Sequence, residues 1–485
     1  MEHDLFIGGK WIKSCTGETF PSLNPADERV VGTFQQGNEE DVRAAIDAAE
    51  FAFEKWSSTP APKRGEILFK VAQILRSRKE ELARLETTEM GKVLLEARGD
   101  VQEAIDIFEY MAGEGRRLFG FTTPSELKSK FAMTVRRPVG IVGLITPWNF
   151  PIAIPAWKLS AALICGNAIV FKPSSDTPLC ATELVKILAE AGVPSGVVNM
   201  VTGPGSSVGR EIAVNKKIRA VSFTGSRETG DWIARNAGIK KVGLELGGKN
   251  AIIVMDDADL KLAVDGAIWG AFGTAGQRCT AASRIIVHEK VAAEFEKLLL
   301  ARTKQLVLGS GLLAATDVGP LINRQAVEKC ERYVDIGQAE GAKLLCGGKR
   351  AGVKGFFFEP TVFGQAKIEM KICQDEIFGP VLAIIAAKNI DEAIEYCNAI
   401  DYGLSSAIYT KDIANAFRAI EKIDAGITYV NSSPIGAETH LPFGGVKQSG
   451  TAREGGILGI DEFSETKTVY VDYSGRLQKA QIDNS

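Results

Sequence analysis

Val42, Ile46, Ala49, Phe53 and Trp56 recur at helical spacing, the acidic run Glu39-Glu40-Asp41 precedes them, and Asn38 precedes that run. The pattern predicts an amphipathic helix capped by Asn38, with negative charge at the positive end of its dipole. Short strands are expected ahead of it, at about 6–11 and 30–34, and Pro60 and Pro62 are expected to end it. Two further helices follow at about 64–88 and 92–114. From Val135 the texture changes. Short apolar runs at 140–145, 168–171, 197–201, 220–223, 251–255 and 284–287 are separated by amphipathic stretches such as 182–191, 207–214, 229–237 and 260–272. Strand and helix alternating at this pitch predict a parallel α/β sheet covered on both faces. A second such series is expected after Cys279, to about Val430, with Pro320, Pro360 and Pro380 in loops. The tail 465–473 alternates Thr466, Thr468, Tyr470 and Asp472 against Lys467, Val469, Val471 and Tyr473. A lone strand there needs a sheet to join, another subunit's being one candidate.

Residues 138–157 carry no charge and are long enough, on count alone, to cross a bilayer. Pro138, Pro147, Pro151 and Pro155 each remove a backbone donor that lipid cannot replace, so the run is expected as buried strand and loop. The beginning of the chain, with Glu2 and Asp4, lacks the charged and apolar regions of a signal peptide.

A length of 485 residues implies two or three domains, and 45% hydrophobic with 24% charged residues is the balance of a soluble globular protein. The net charge of −3, without a basic cluster, argues against a nucleic-acid groove. Eight cysteines without a C-x-x-C pair fit a reduced, cytoplasmic protein. With histidine only at 3, 288 and 440, neither an imidazole-rich metal site nor a Ser-His-Asp triad is expected.

Candidate chemistry gathers in five stretches. Cys279 lies in Gly273-Thr-Ala-Gly-Gln-Arg-Cys, too small and polar a loop for core, with Arg278 beside it to favour thiolate. The alternatives for any such thiol are a nucleophile or a small buried hydrophobe. Glu245, between Leu244 and Leu246, is either a general base raised by partial burial or a capping carboxylate. Asn149 in Thr146-Pro147-Trp148-Asn149-Phe150-Pro151 is a fixed amide donor suited to an oxyanion, or part of a buried proline-rich loop. Lys172, at a strand end before Pro173-Ser174-Ser175, is placed to meet ribose or phosphate. Ser222-Phe223-Thr224-Gly225-Ser226 reads as strand, glycine turn and helix start, an anion site. Neither it nor Gly203-Pro204-Gly205-Ser206-Ser207-Val208-Gly209 fits G-x-G-x-x-G.

Together these stretches resemble the aldehyde dehydrogenase superfamily over nearly the whole chain. The matching motifs are TPWNFP at 146–151, FKPSS at 171–175, FTGS at 223–226, LELGGKN at 244–250, GQRC at 276–279, EIFGPV at 376–381 and PFGGVKQSG at 442–450, in matching order. The resemblance implies an α/β fold: a Rossmann-type cofactor domain (1–117 and 138–247), an α/β catalytic domain (248–448) and a small β bridging element (118–137 and 449–485) that points to a homodimer or homotetramer. It implies that Cys279 attacks an aldehyde, that Asn149 and the Cys279 N–H hold the oxyanion, and that Glu245 activates the water that hydrolyses a thioester, with Lys158 and Glu454 as a proton relay. Thr146, Pro147, Trp148, Lys172, Ser174, Ser175, Gly205, Gly209, Phe223, Thr224, Gly225, Ser226, Leu246, Glu376 and Phe378 match cofactor positions, and Phe150, Arg278 and Phe443 match the substrate side.

Strictly NAD-dependent relatives often carry Glu where this chain has Ser175, so NADP or dual NAD/NADP use is expected. Glu245 argues for water rather than coenzyme A as the acyl acceptor. The segments at 56–65, 277–279 and 437–438 look most like α-ketoglutarate semialdehyde (2,5-dioxopentanoate) dehydrogenases, with succinate semialdehyde, glyceraldehyde and broad-specificity enzymes as alternatives. Arg278 either anchors a substrate carboxylate or points away and serves only its loop. A silent binding protein of the same fold would be expected to lack Cys279, Glu245 or Asn149, and all three are present. A related enzyme running mainly thioester or ester chemistry is the third alternative. No metal, membrane or nucleic-acid partner is expected.

Overall fold

Asn38 caps the helix Glu39–Ser58: its side chain accepts from Glu40 N and Asp41 N, and Asp41 accepts in return from the Asn38 N–H. That computed structural model describes residues 1–352 and 354–483. The expected stops behave differently from each other. Pro60 precedes the next helix, Ala61–Ser77, and Pro62 lies in its first turn, where a missing N–H costs nothing. The expected helix at 64–88 is two helices, Ala61–Ser77 and Lys79–Met90, broken at Arg78. The Arg78 side chain pairs there with Glu81 and, at 2.7 Å, with Glu183. Leu94–Glu114 follows.

Two seven-stranded sheets form the body. The first runs in the order Lys241–Glu245, Ile218–Thr224, Ile141–Ile145, Ala168–Lys172, Val198–Met200, Leu5–Ile7, Lys10–Ile12. Its first five strands are parallel; the last two form an antiparallel hairpin through Gly8 and Gly9, both at positive φ, where one strand at 6–11 was expected. Chain order departs in both directions from Ile141–Ile145, so the sheet has its switch point between that strand and Ile218–Thr224. Ligands of open α/β sheets collect outside such a point, at the carboxyl ends of the strands. There the chain continues as Thr146-Pro147-Trp148-Asn149 and as Gly225-Ser226.

The second sheet, Lys343–Cys346, Thr361–Gly364, Val381–Ala387, Ala282–His288, Asn250–Val254, Ser405–Tyr409 and Ile427–Val430, is parallel except for its first strand. The uncharged run 138–157 is more than strand and loop, because Ala153–Cys165 is a buried helix with Pro155 in its first turn. Asp100 fixes its start, Oδ1 accepting from Ala153 N at 2.6 Å. The tail strand Ser464–Asp472 does not wait for another subunit: it pairs antiparallel with Lys130–Pro138 of its own chain over its full length. Among the described residues no helix is long and apolar enough to cross a membrane.

Candidate active site

Cys279 follows the helix Leu260–Phe272 through a tight turn in which Thr274, Ala275 and Gly276 all have positive φ, 52°, 53° and 71°. Two of these residues carry a Cβ and are strained there. Glu96, from the helix Leu94–Glu114, holds the turn: its carboxylate accepts from Thr274 N at 2.9 and 3.0 Å and from Thr274 Oγ1 at 2.9 Å. On the other side of the thiol, Asn250 Nδ2 donates to Cys279 O at 2.7 Å. Burial pushes the thiol up to about 12, with Glu245 and Glu376 adding to the shift and the Thr280 N–H opposing it. The expectation that Arg278 favours thiolate is thereby corrected. Its guanidinium swings to a slot between Phe150 (5.2 Å) and Trp269 (4.9 Å), with Nε on Thr274 Oγ1 at 2.9 Å and Nη2 3.7 Å from Glu96.

Two cavities meet at this sulfur. A chamber of about 650 Å³ is lined by Glu103, Phe150, Trp157, Glu245, Arg278, Ala437, Phe443 and Glu454 among others. A cleft of about 1150 Å³ is lined by Pro147, Trp148, Asn149, Gly225, Ser226, Gly247, Glu376 and Phe378 among others. Ile154, Thr224, Leu246 and Cys279 belong to both walls. Buried polar atoms without partners concentrate here: Thr146 Oγ1, Asn149 Oδ1, Thr224 Oγ1 and both Glu245 oxygens. Such orphans are rare in folded proteins and mark places built for something else to bind.

Glu245, at the end of the strand Lys241–Glu245, is held well above the usual carboxylate range, mainly by burial and further by Glu454, with Lys158 opposing. Lys158, from the buried helix, donates to Glu454 and to Ser222 Oγ. Asn149 Nδ2 donates to Gln277 O at 3.1 Å, which brings the amide to the thiol loop. In the cleft, Trp148 and Phe378 meet edge to face at 5.5 Å, and Glu376 accepts from Gly248 N at 2.8 Å. A Cβ on Gly247 would collide with that carboxylate. Farther along the same sheet edge, Thr146 N donates to Lys172 O, Ser175 Oγ to Gly203 O at 3.1 Å, and Gly209 packs on the Lys172 side chain. Lys172 Nζ donates to Pro173 O, and burial lowers its amine to about 8.

A model of the aldehyde dehydrogenase family matches residues 11–469. The chain belongs to the aldehyde dehydrogenase family. This aldehyde dehydrogenase is 42% identical over 474 residues to the alpha-ketoglutaric semialdehyde dehydrogenase of Bacillus subtilis, covering 96% of this chain and 97% of that one. It is 43% identical to the betaine aldehyde dehydrogenase of the same organism, over 97% of each. A crystal structure of betaine aldehyde dehydrogenase from Staphylococcus aureus in complex with NAD+ superposes with a TM-score of 0.96 at 38% identity, covering 98% of this chain and 96% of that one. The enzyme is therefore an NAD(P)-dependent oxidoreductase of the aldehyde group.

The fold brings Cys279, Glu245, Asn149, Lys158 and Glu454 together, with Phe150, Arg278 and Phe443 on the chamber side. Of the residues matched to the cofactor, Pro147, Trp148, Thr224, Gly225, Ser226, Leu246, Glu376 and Phe378 line the cleft; Thr146 and Phe223 are buried off its wall, and Lys172, Ser174, Ser175, Gly205 and Gly209 do not line it. For a dinucleotide the fit is good: a cleft at the switch point, the orphan Thr224 hydroxyl on its wall, and a glycine, Gly247, where a side chain would collide with Glu376. Sequence reading missed Glu103. It sits in the helix Leu94–Glu114 between Gln102 and Asp106, where the pattern reads as a polar outer face. The structure turns it onto the chamber wall, and burial pushes its carboxyl up to about 8, Asp100 adding and Arg278 opposing.

Proposed function

We propose that this enzyme oxidises a semialdehyde acid, with 2,5-dioxopentanoate the best candidate, and uses NADP or NAD as hydride acceptor. The observation carrying the proposal is the thiol at the junction of two cavities, one with Arg278 on its wall and the other fit for a dinucleotide. Cys279 first loses its thiol proton to solvent, its Sγ then bonds to the aldehyde carbon, and the resulting oxyanion is held by Asn149 Nδ2 and the Cys279 N–H; each such donor contributes about 3–4 kcal/mol at the transition state. The nicotinamide, when bound, supplies the acceptor for the hydride that leaves this carbon. Cys279 is left carrying a thioester. Glu245 removes a proton from water as its oxygen bonds to the acyl carbon, the C–S bond breaks, and the acid departs through the chamber. Trp148, Thr224, Gly225, Ser226, Leu246, Glu376 and Phe378 would hold the nicotinamide end, and Lys172, Ser174, Ser175, Gly205 and Gly209 the adenosine end. Ser175, whose Oγ donates to Gly203 O, carries no charge to repel a 2′-phosphate, which supports NADP use.

Arg278 lines the chamber, and its guanidinium lies between the Phe150 and Trp269 rings, where a substrate carboxylate would compete with Thr274 and Glu96 for it. Glu103 favours a second reading. The rings of Phe150, Trp157 and Phe443 on the chamber wall suit a cationic aldehyde such as betaine aldehyde, whose charge would draw the raised Glu103 carboxyl into its ionised form. Initial rates of NAD(P)H formation with 2,5-dioxopentanoate, succinate semialdehyde, glyceraldehyde, betaine aldehyde and an uncharged aliphatic aldehyde, each with both cofactors, decide between them. A kcat/KM advantage for the acids that collapses in Arg278→Ala supports the first reading. An advantage for betaine aldehyde that collapses in Glu103→Gln replaces it, and equal rates leave a broad-specificity enzyme. The division into cofactor, catalytic and bridging parts, and assembly as a dimer or tetramer, belong to the same proposal; sedimentation velocity tests the latter.

A further inference from the structure

Behind Glu245 the buried polar side chains continue past Lys158. Lys158 Nζ donates to Glu454 and, at 2.8 Å, to Ser222 Oγ. Ser222 is wholly buried, and by accepting from Lys158 it keeps its own hydroxyl proton to give. Beside it stands Glu462, at the end of the short helix Leu458–Glu462, close enough for the Ser222 hydroxyl to favour its ionised form. Both Glu462 oxygens are buried without a standard hydrogen bond, a costly state for a carboxylate with no purpose.

The sheet explains why this carboxylate reaches the line. Ser222 and Gly243 are register partners in neighbouring parallel strands, and a Cβ on Gly243 would collide with the Glu462 carboxylate. Gly243 thus leaves the space that Glu462 fills. Lys241, Gly243 and Glu245 alternate onto one face of their strand, so Glu462 lies on the same face as Glu245, one step outward. The next step is Lys241, whose Nζ donates to Asp461 O and Ser464 O at the protein surface. Lys158, Ser222 and Glu462 are absent from the walls of both the chamber and the cleft.

We propose that Glu462 is the outer station of a proton relay that clears the hydrolytic base, in the order Glu245, Glu454, Lys158, Ser222, Glu462. The inference rests on the assignment of Glu245 as that base. After hydrolysis Glu245 carries the proton taken from water. Lys158 gives a proton to Ser222 Oγ as the Ser222 hydroxyl proton passes to the Glu462 carboxylate. Glu454, the carboxylate paired with Lys158, then takes the proton from Glu245 and passes it to Lys158. The net change is one proton moved from Glu245 to Glu462, with no change of oxidation state, and Glu462 releases it on the side of Lys241 and Asp461. The groups facing Glu462 are Lys158, Glu454, Glu245, Ser222 and Lys241. Burial pushes its carboxyl up to about 7, with Glu454 adding and Lys158, Ser222 and Lys241 opposing, so it can take up and shed a proton near neutral pH.

Stopped-flow and steady-state measurements of NAD(P)H formation on the full-length enzyme test the relay. Glu462→Gln and Ser222→Ala are expected to leave the first turnover unchanged while steady-state kcat falls by about tenfold or more. In Glu462→Gln the limb of the kcat–pH profile near pH 7 should also disappear, with KM and melting temperature held, and Glu462→Asp should recover part of kcat together with that limb. An unchanged kcat and pH profile in Glu462→Gln overturns the relay, and so does a parallel fall of first turnover, kcat and melting temperature. Glu245→Gln separates the two levels. If it stops turnover after one cycle while Glu462→Gln does not, only the relay fails; if it turns over normally, the assignment of the base fails and the relay with it.

Discussion

Removing the Glu96 carboxylate should disable the thiol without touching it. Thr274 gives that carboxylate two donors, its N–H and its hydroxyl, and Arg278 adds a more distant charge at 3.7 Å. Hydrogen bonds to a buried charged acceptor contribute about 1.5–3 kcal/mol each, so the two together supply roughly 3–6 kcal/mol. Against this, a residue with a Cβ held in the left-handed region costs about 1–2 kcal/mol, and Thr274 and Ala275 are two of them. In Glu96→Ala nothing offsets that strain, the turn relaxes toward negative φ, and Cys279 shifts relative to Asn149 and Glu245. A displacement of about one ångström at a reacting atom lowers rate by about 100-fold. The assay is kcat/KM for the best aldehyde, together with cofactor affinity by nucleotide fluorescence, which should not change. A kcat/KM within about threefold of the native value, under 1 kcal/mol, would refute the claim that Glu96 holds the turn.

Four further outcomes are expected. Because burial pushes the Cys279 thiol up to about 12, its thiolate fraction in the free enzyme should rise about tenfold per pH unit from pH 7 to 10; alkylation by iodoacetamide measures it, and a plateau near pH 8 would contradict it. The amine of Lys172, lowered to about 8, loses its charge as pH rises through that value, so KM for NADP should climb above pH 8 while KM for NAD stays level. Ser175→Glu should lower kcat/KM for NADP by about tenfold or more, one like charge beside a phosphate costing at least about 1.4 kcal/mol at close range. Lys92→Met should destabilise the protein by about 3–5 kcal/mol, read from denaturant unfolding, because it strands Glu86 and Asp100, both wholly buried beside Lys92 Nζ at 2.7 and 3.0 Å.

The parts of the site that were legible in sequence are those whose chemistry is carried by a short stretch. The cap at Asn38 and the helix Leu260–Phe272 follow from local pattern, and the thiol loop announces itself by glycines around a cysteine. Glu103 was invisible because its position depends on which side of Leu94–Glu114 meets the chamber, and that is set by packing against the helix Ala153–Cys165. Arg278 was misjudged for a related reason. Adjacency to Cys279 in the chain says nothing about where a long side chain ends, and the slot between Phe150 and Trp269 is assembled from remote segments. The prolines show the limit of local rules: Pro62 and Pro155 resemble breakers, yet each sits in a first helical turn that has no partner for its missing N–H. The tail strand had a clear alternation but no local cue to its partner; only the resemblance joined it to 118–137, and the strand it pairs with is Lys130–Pro138, more than three hundred residues earlier.

Chamber and cleft share a wall made by Ile154, Thr224, Leu246 and Cys279, with the thiol among them. A rod-like molecule with a thiol-reactive group at its middle could occupy both corridors at once. Each half would then raise the local concentration of the other, and a compound that grips weakly at either end could become a tenacious inhibitor as a whole.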